Sequence, residues 1–190
     1  VMISKGSVKG QGLLGRLWGS GFLPSQHQGV KLRGVGDPVL YLTDPAGIDR
    51  AGRREMLDGL AQMNELQLAE VGDPEITARI AQYELAFRMQ SSVPETLDFR
   101  SETQATQKNY GLNNPETRDF GMQMLATRRF IERGVRFIQV QHGAGGAGVW
   151  DAHSALKSNH EKNFKAVDQP VAALLKDLKQ RGLLDSTIVV

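Results

Sequence analysis

Val135-Arg136-Phe137-Ile138-Gln139-Val140-Gln141 is the stretch on which the fold reading turns. Its β-branched and aromatic residues read as a strand. Residues 142 to 149 follow, with glycines at 143, 145, 146 and 148, and read as a loop. Next comes Trp150-Asp151-Ala152-His153. Val167, Val171, Leu174, Leu175 and Leu178 then share one face of a helix covering much of 155–181. Asp168 ahead of Pro170 predicts a restart or kink, and Gly182 ends the helix. Thr187-Ile188-Val189-Val190 is a β-branched run that reads as a second strand. Strand, loop, helix and strand make a βαβ unit, with two parallel strands joined by a right-handed crossover. Residues 134–190 are thus expected to form such a unit in an α/β fold. Ligands in such folds bind beyond the carboxyl ends of the strands, where Asp151 and His153 fall.

Upstream, residues 49–133 read as a helical region. One helix is predicted from Asp49 to Val71, with a loose apolar stripe of Met56, Leu57, Leu60, Met63, Leu66 and Leu68, and Gly72 as its stop. Asp73-Pro74 then caps and opens a second helix. Ile76, Ile80, Tyr83 and Phe87 mark its buried face, and Pro94 closes it. A short helix is expected near 101–109 and a turn at 111–115. Another helix runs from Glu116 to Arg133, with Phe120, Met124, Thr127 and Ile131 on one face and Gly134 as its stop. Thr127 needs a hydrogen-bond partner if buried. Residues 1–48 are rich in glycine and proline, with a short extended run at Val39-Leu40-Tyr41-Leu42 and a turn at Asp44-Pro45-Ala46-Gly47. The whole reads as one internal piece of a larger domain. Val1 carries no initiation signal, and the last strand stops in mid-course. Such a piece is expected to self-associate.

The 190 residues carry 23 Lys and Arg against 21 Asp and Glu. A net charge of +2, with no basic run interleaved with aromatics, argues against nucleic acid as a partner. The absence of cysteine excludes disulfides and thiolate metal sites. No stretch is apolar for long enough to span a bilayer.

A carboxylate and an imidazole two residues apart in a loop, Asp151 and His153, can both turn toward one divalent ion. The plainer alternative is a helix cap beside an exposed ring. His160, two helical turns beyond His153, can reach the same pocket or lie on the surface. His142, at the start of the glycine-rich loop, can be a ligand or a substrate contact. His27 reads as surface. The glycine-rich loop does not fit G-x-G-x-x-G cleanly and lacks the Lys-Ser/Thr ending of a P-loop. No G-x-S-x-G nucleophile motif occurs. No residue is singled out as a nucleophile.

Several segments, in order along the chain, resemble the large bacterial family known as DUF1501. They begin with Trp18-Gly19-Ser20-Gly21-Phe22-Leu23-Pro24 and Gln28-Gly29-Val30. Asp37-Pro38-Val39-Leu40-Tyr41-Leu42, Arg79-Ile80-Ala81-Gln82-Tyr83-Glu84 and Glu132-Arg133-Gly134-Val135-Arg136-Phe137 follow. Trp150-Asp151-Ala152-His153, Asn159-His160, Val167-Asp168-Gln169-Pro170 and the run Asp177 to Asp185 complete the set.

That family is similar to the alkaline phosphatase and sulfatase superfamily. The resemblance implies a partial alkaline-phosphatase-like α/β fold in an exported or periplasmic hydrolase. Asp151 and His153 would be ligands to zinc, manganese or calcium, with a small-molecule or glycan phosphate or sulfate ester as substrate. It leaves His160 and His142 to orient a ligand or touch substrate. The superfamily commonly separates its Asp and His by three residues, against one here, and its upstream nucleophile is missing from this sequence. A non-catalytic exported interaction protein on the same scaffold is the alternative.

Overall fold

The structure is a computed structural model that describes residues 2–4, 19–24, 27–33, 44, 47–142 and 150–190. Three three-residue strands, β1 (Met2–Ser4), β2 (Lys31–Arg33) and β3 (Gln139–Gln141), are joined in the order β2-β1-β3. Both pairings are parallel, with Ile3 opposite Leu32 and Val140. Among the described residues five α-helices dominate: α1 (Arg50–Val71), α2 (Pro74–Leu97), α3 (Gln104–Asn109), α4 (Arg118–Glu132) and α5 (Leu156–Gln180). The chain divides into two compact units. One comprises Val1–Gly12, Val30–Pro38 and Thr96–Val190; the other comprises Leu13–Gly29 and Val39–Glu95.

In the second unit the helix boundaries follow from local chemistry. Asp49 accepts from the Gly52 amide at 2.8 Å and starts α1. Gly72, at φ +73°, ends it by donating to the Leu68 carbonyl. Asp73 accepts from the Glu75 amide at 2.9 Å at the start of α2. α1 and α2 are tied by polar contacts. Arg54 bonds Asp58 on its own helix and Glu84 on α2 at 2.6–2.9 Å. Arg50 and Arg54 lie over the Phe87 ring at 4.4 and 5.0 Å. The predicted apolar stripe of α1 is not a core face. Only Leu57 on that helix is buried, and Leu66 is 74% exposed. On α2, Ile76 is buried and Tyr83 is exposed. Pro94 lies inside α2, which continues to Leu97.

The first unit holds the main core, where α4 packs on α5. Tyr110, Phe120, Met124, Leu125, Ala173, Leu174 and Leu178 form it, and Val140 of β3 packs against them. The predicted face of α4 is buried at Phe120, Met124 and Thr127. Thr127 satisfies its hydroxyl by donating to the Gln123 carbonyl at 2.9 Å. Gly134 and Gly182, both at positive φ, end α4 and α5 in the same way. The amide three residues past the helix bonds back to a carbonyl of its last turn, Val135 to Phe130 and Leu183 to Leu178. α5 runs unbroken through Pro170, which is buried within it.

The expected partial alkaline-phosphatase-like α/β fold with a C-terminal parallel βαβ unit is overturned. The described chain is predominantly helical, and residues 187–190 form no strand. A parallel strand needs a neighbouring ladder to receive its amides and carbonyls. Here a 3-10 turn at Leu184–Ser186 takes the chain, and Thr187 bonds back to Leu183 and Leu184. Ile188 is then 92% exposed. The first predicted strand shrinks to 139–141, and the Val135 amide serves the helix cap instead. Trp18, the extended run 39–42 and the glycine-rich loop at 143–149 lie outside the described residues.

Candidate functional site

The site sits where β3 ends and α5 begins. His142 directly follows β3, and residues 150–155 lead into α5. Ala155 precedes the helix at φ +49° and ψ 40°, a left-handed backbone rarely taken by a residue with a Cβ. Ser158 donates its hydroxyl to the Ala155 carbonyl at 3.1 Å, which ties the first turn of α5 to this corner.

A file of rings holds Trp150. Phe120 of α4 meets His142 edge-on at 5.0 Å, and His142 meets Trp150 at 5.6 Å. Trp150 in turn meets Phe164 at 5.4 Å and His160 at 6.0 Å, both on α5. His160 and Phe164, one helical turn apart, also meet edge-on at 6.2 Å. All are T-shaped contacts, the arrangement aromatic quadrupoles favour. Two hydrogen bonds lock the file. The indole Nε1–H of Trp150 donates to His142 Nδ1 at 3.1 Å. His160 Nε2 lies 3.2 Å from the Trp150 carbonyl oxygen. A carbonyl only accepts, so this nitrogen carries the proton.

Asp151 and His153 project from the next residues into solvent, 76% and 72% exposed. Asp151 Oδ2 and His153 Nε2 are hydrogen-bonded to each other at 2.9 Å. Two donors each about 2.1 Å from one ion and at right angles to each other stand about 3.0 Å apart. The spacing matches adjacent octahedral positions; tetrahedral donors at the same bond length stand about 3.4 Å apart, so a tetrahedral ion would spread the pair slightly. A metal bound through Nε2 would replace this hydrogen bond and require the neutral ring to carry its proton on Nδ1. Among the described residues no third histidine or acidic side chain joins them as a ligand. An open depression of about 640 Å³ adjoins His153 and is lined also by Ser158, Asn159 and Lys162.

The structure thus brings Asp151 and His153 together and gives His142 and His160 to Trp150. His27 is exposed and lies in the other unit. Sequence reading missed Phe120 and Phe164 as parts of the site. The four-residue step from His160 to Phe164, with an aromatic upstream at Trp150, was the available signal.

The family described as "Protein of unknown function (DUF1501)" matches residues 1–190. The chain belongs to the DUF1501 family. Comparison with curated proteins and with solved structures finds no match. Within this DUF1501 chain the W-D-x-H run, Trp150 to His153, supplies both the braced ring and the exposed donor pair. No described helix is long and apolar enough to cross a membrane.

Proposed function

We propose that this DUF1501 chain is part of an exported, metal-dependent hydrolase of phosphate or sulfate esters, with Asp151 and His153 as two ligands of its divalent ion. The observation that carries the reading is the 2.9 Å approach of Asp151 Oδ2 to His153 Nε2 on an exposed corner beside a depression. Export and the ester class rest on the resemblance of the DUF1501 family to the alkaline phosphatase and sulfatase superfamily. A bound ion would lower the pKa of an attacking hydroxyl and neutralise charge in the transition state. Asp151 offers a hard oxygen donor and His153 a borderline nitrogen, a pairing suited to zinc or manganese. Lys162, lining the depression next to His153, supplies positive charge for an anionic ester.

The test is elemental analysis of the full-length protein and its Asp151→Ala/His153→Ala variant, followed by a screen of phosphate and sulfate esters. The expected result is stoichiometric metal in the wild type, lost with ester cleavage in the variant. Equal metal content in both, or none in either under metal-replete conditions, would overturn the reading in favour of an exported interaction protein.

A further inference from the structure

We infer that Trp150 is a positioning residue for the Asp151–His153 pair, and that His142 and His160 hold it as a matched acceptor and donor. This rests on the reading of Asp151 and His153 as a metal-binding pair.

Asp151 and His153 have little packing of their own to fix them, being exposed. Their place in space is set by the residues on either side. On one side the chain enters α5 at Ala155. On the other stands Trp150, adjacent to Asp151, and its indole N–H and its carbonyl are engaged by imidazoles from different parts of the chain. The indole N–H can only donate, so His142 Nδ1 must present its lone pair. The Trp150 carbonyl can only accept, so His160 Nε2 must present a proton. The two histidines are therefore held in opposite roles. Fixing the backbone just before a ligand orients it, and such supporting contacts typically change metal affinity about 10–100-fold when lost.

The roles can be separated by amide substitutions. The Oδ1 of asparagine occupies the place of a histidine Nδ1, and the Nε2 of glutamine that of a histidine Nε2. His142→Asn thus keeps the acceptor and His160→Gln keeps the donor, whereas His142→Leu and His160→Leu keep only bulk. Trp150→Phe keeps the ring face and loses the N–H.

The measurements are zinc affinity, by competition with a chelating dye, and the 15N resonances of the Trp150 indole and the His153 ring. Both use the full-length protein, with the indole signal assigned by its loss in Trp150→Phe. His142→Asn and His160→Gln are expected to stay within about 3-fold of wild-type affinity. The two leucine variants and Trp150→Phe are expected to lose about 10-fold or more. The leucine variants should also shift the His153 ring nitrogens, while the amide variants should not. Leucine variants that bind zinc as tightly as wild type, or amide variants as weak as the leucine ones, would overturn the assignment.

If wild type and Asp151→Ala/His153→Ala bind zinc equally, the metal-site reading fails by itself. The resonances still decide the positioning: His153 shifts in the leucine variants alone uphold it, and unmoved His153 signals overturn it.

Discussion

Arg128 of α4 donates to Glu102 at 2.6 Å with its own side chain only 4% exposed. Glu132 accepts from the same guanidinium at 2.6 Å, and Asp177 of α5 lies 3.2 Å from its Nε. Burial pulls the Arg128 pKa down, but the bonds to Glu132 and Glu102 outweigh it and hold the group above its ordinary value. Tyr110 and Arg181 complete the cluster by donating to Asp177 at 3.0 and 2.6 Å. Arg128→Met would leave Glu102 buried beside fewer cations. It is expected to destabilise the first unit by about 3–5 kcal/mol in chemical denaturation, with part recovered by adding Glu102→Gln. A loss under about 1 kcal/mol would mean that water reaches the cluster.

Asp98 introduces a linked effect of pH. It accepts from the Arg100 side chain at 2.8 and 2.6 Å and from the Arg100 amide at 3.1 Å, closing the 3-10 turn at Phe99–Ser101. The Arg100 guanidinium, helped by that amide, holds the Asp98 carboxyl at about 2, below its ordinary 3.8. A depressed carboxyl pKa stabilises the fold above the unfolded value. That contribution fades as pH falls from about 4 towards 2. Arg100→Ala should therefore be less stable than wild type near neutrality, and the gap should close on acidification. Urea midpoints measured across that range check it. A gap that does not move with pH would mean that Arg100 acts through packing alone.

Gly121 marks the closest approach of α4 to the backbone before it. A Cβ there would stand 2.1 Å from the Tyr110 carbonyl oxygen and 3.2 Å from Leu112 Cδ1. Backbone cannot yield cheaply, so Gly121→Ala is expected to cost about 1–3 kcal/mol through forced separation of packed elements. Gly59, inside α1 with nothing within 4 Å of its Cβ position, is the control. Gly59→Ala should stabilise by about 0.5–1 kcal/mol, because alanine loses less backbone freedom in a helix. Equal effects at the two positions would contradict the packing described for α4.

These contrasts mark what could be read from sequence. Asp73, Gly134 and Gly182 were legible because caps are local: each acts on amides or carbonyls within a few residues. The face of α4 was legible because it is buried as its period demands. Thr187 to Val190 misled because β-branched content makes a strand only where another ladder receives it. Pro94 and Pro170 misled because a helix can absorb the loss of one amide bond when its flanks hold. Met63 and Leu66 read as core but are exposed, their helix being tied to α2 through Arg54 and Phe87. Arg128 carried no signal in the sequence, since its acidic partners Glu102 and Asp177 lie 26 and 49 residues away. At the site, Asp151 and His153 were visible as neighbours in sequence. The bracing of Trp150 was not, because it depends on where β3 and α5 deliver their imidazoles.

Ala155 offers the last test, at the corner that feeds α5. Its φ of +49° places the Cβ against the following carbonyl, at a cost of roughly 1–2 kcal/mol for an L-residue with a side chain. Glycine carries no such penalty but loses more freedom on folding. Ala155→Gly is thus expected to raise stability by up to about 1 kcal/mol. Ala155→Val, with a branched Cβ poorly suited to left-handed backbone, should lower it by a similar or larger amount. Thermal denaturation of the pair reads the sign directly. Glycine preserves the turn through which residues 151–154 enter the helix, so His153 should keep its approach to Asp151 and its ring resonances should not move. Valine, by favouring negative φ, should shift them. Stability that ranks valine above glycine would show that the backbone at 155 is not left-handed, and that the corner carrying Asp151 and His153 is built differently.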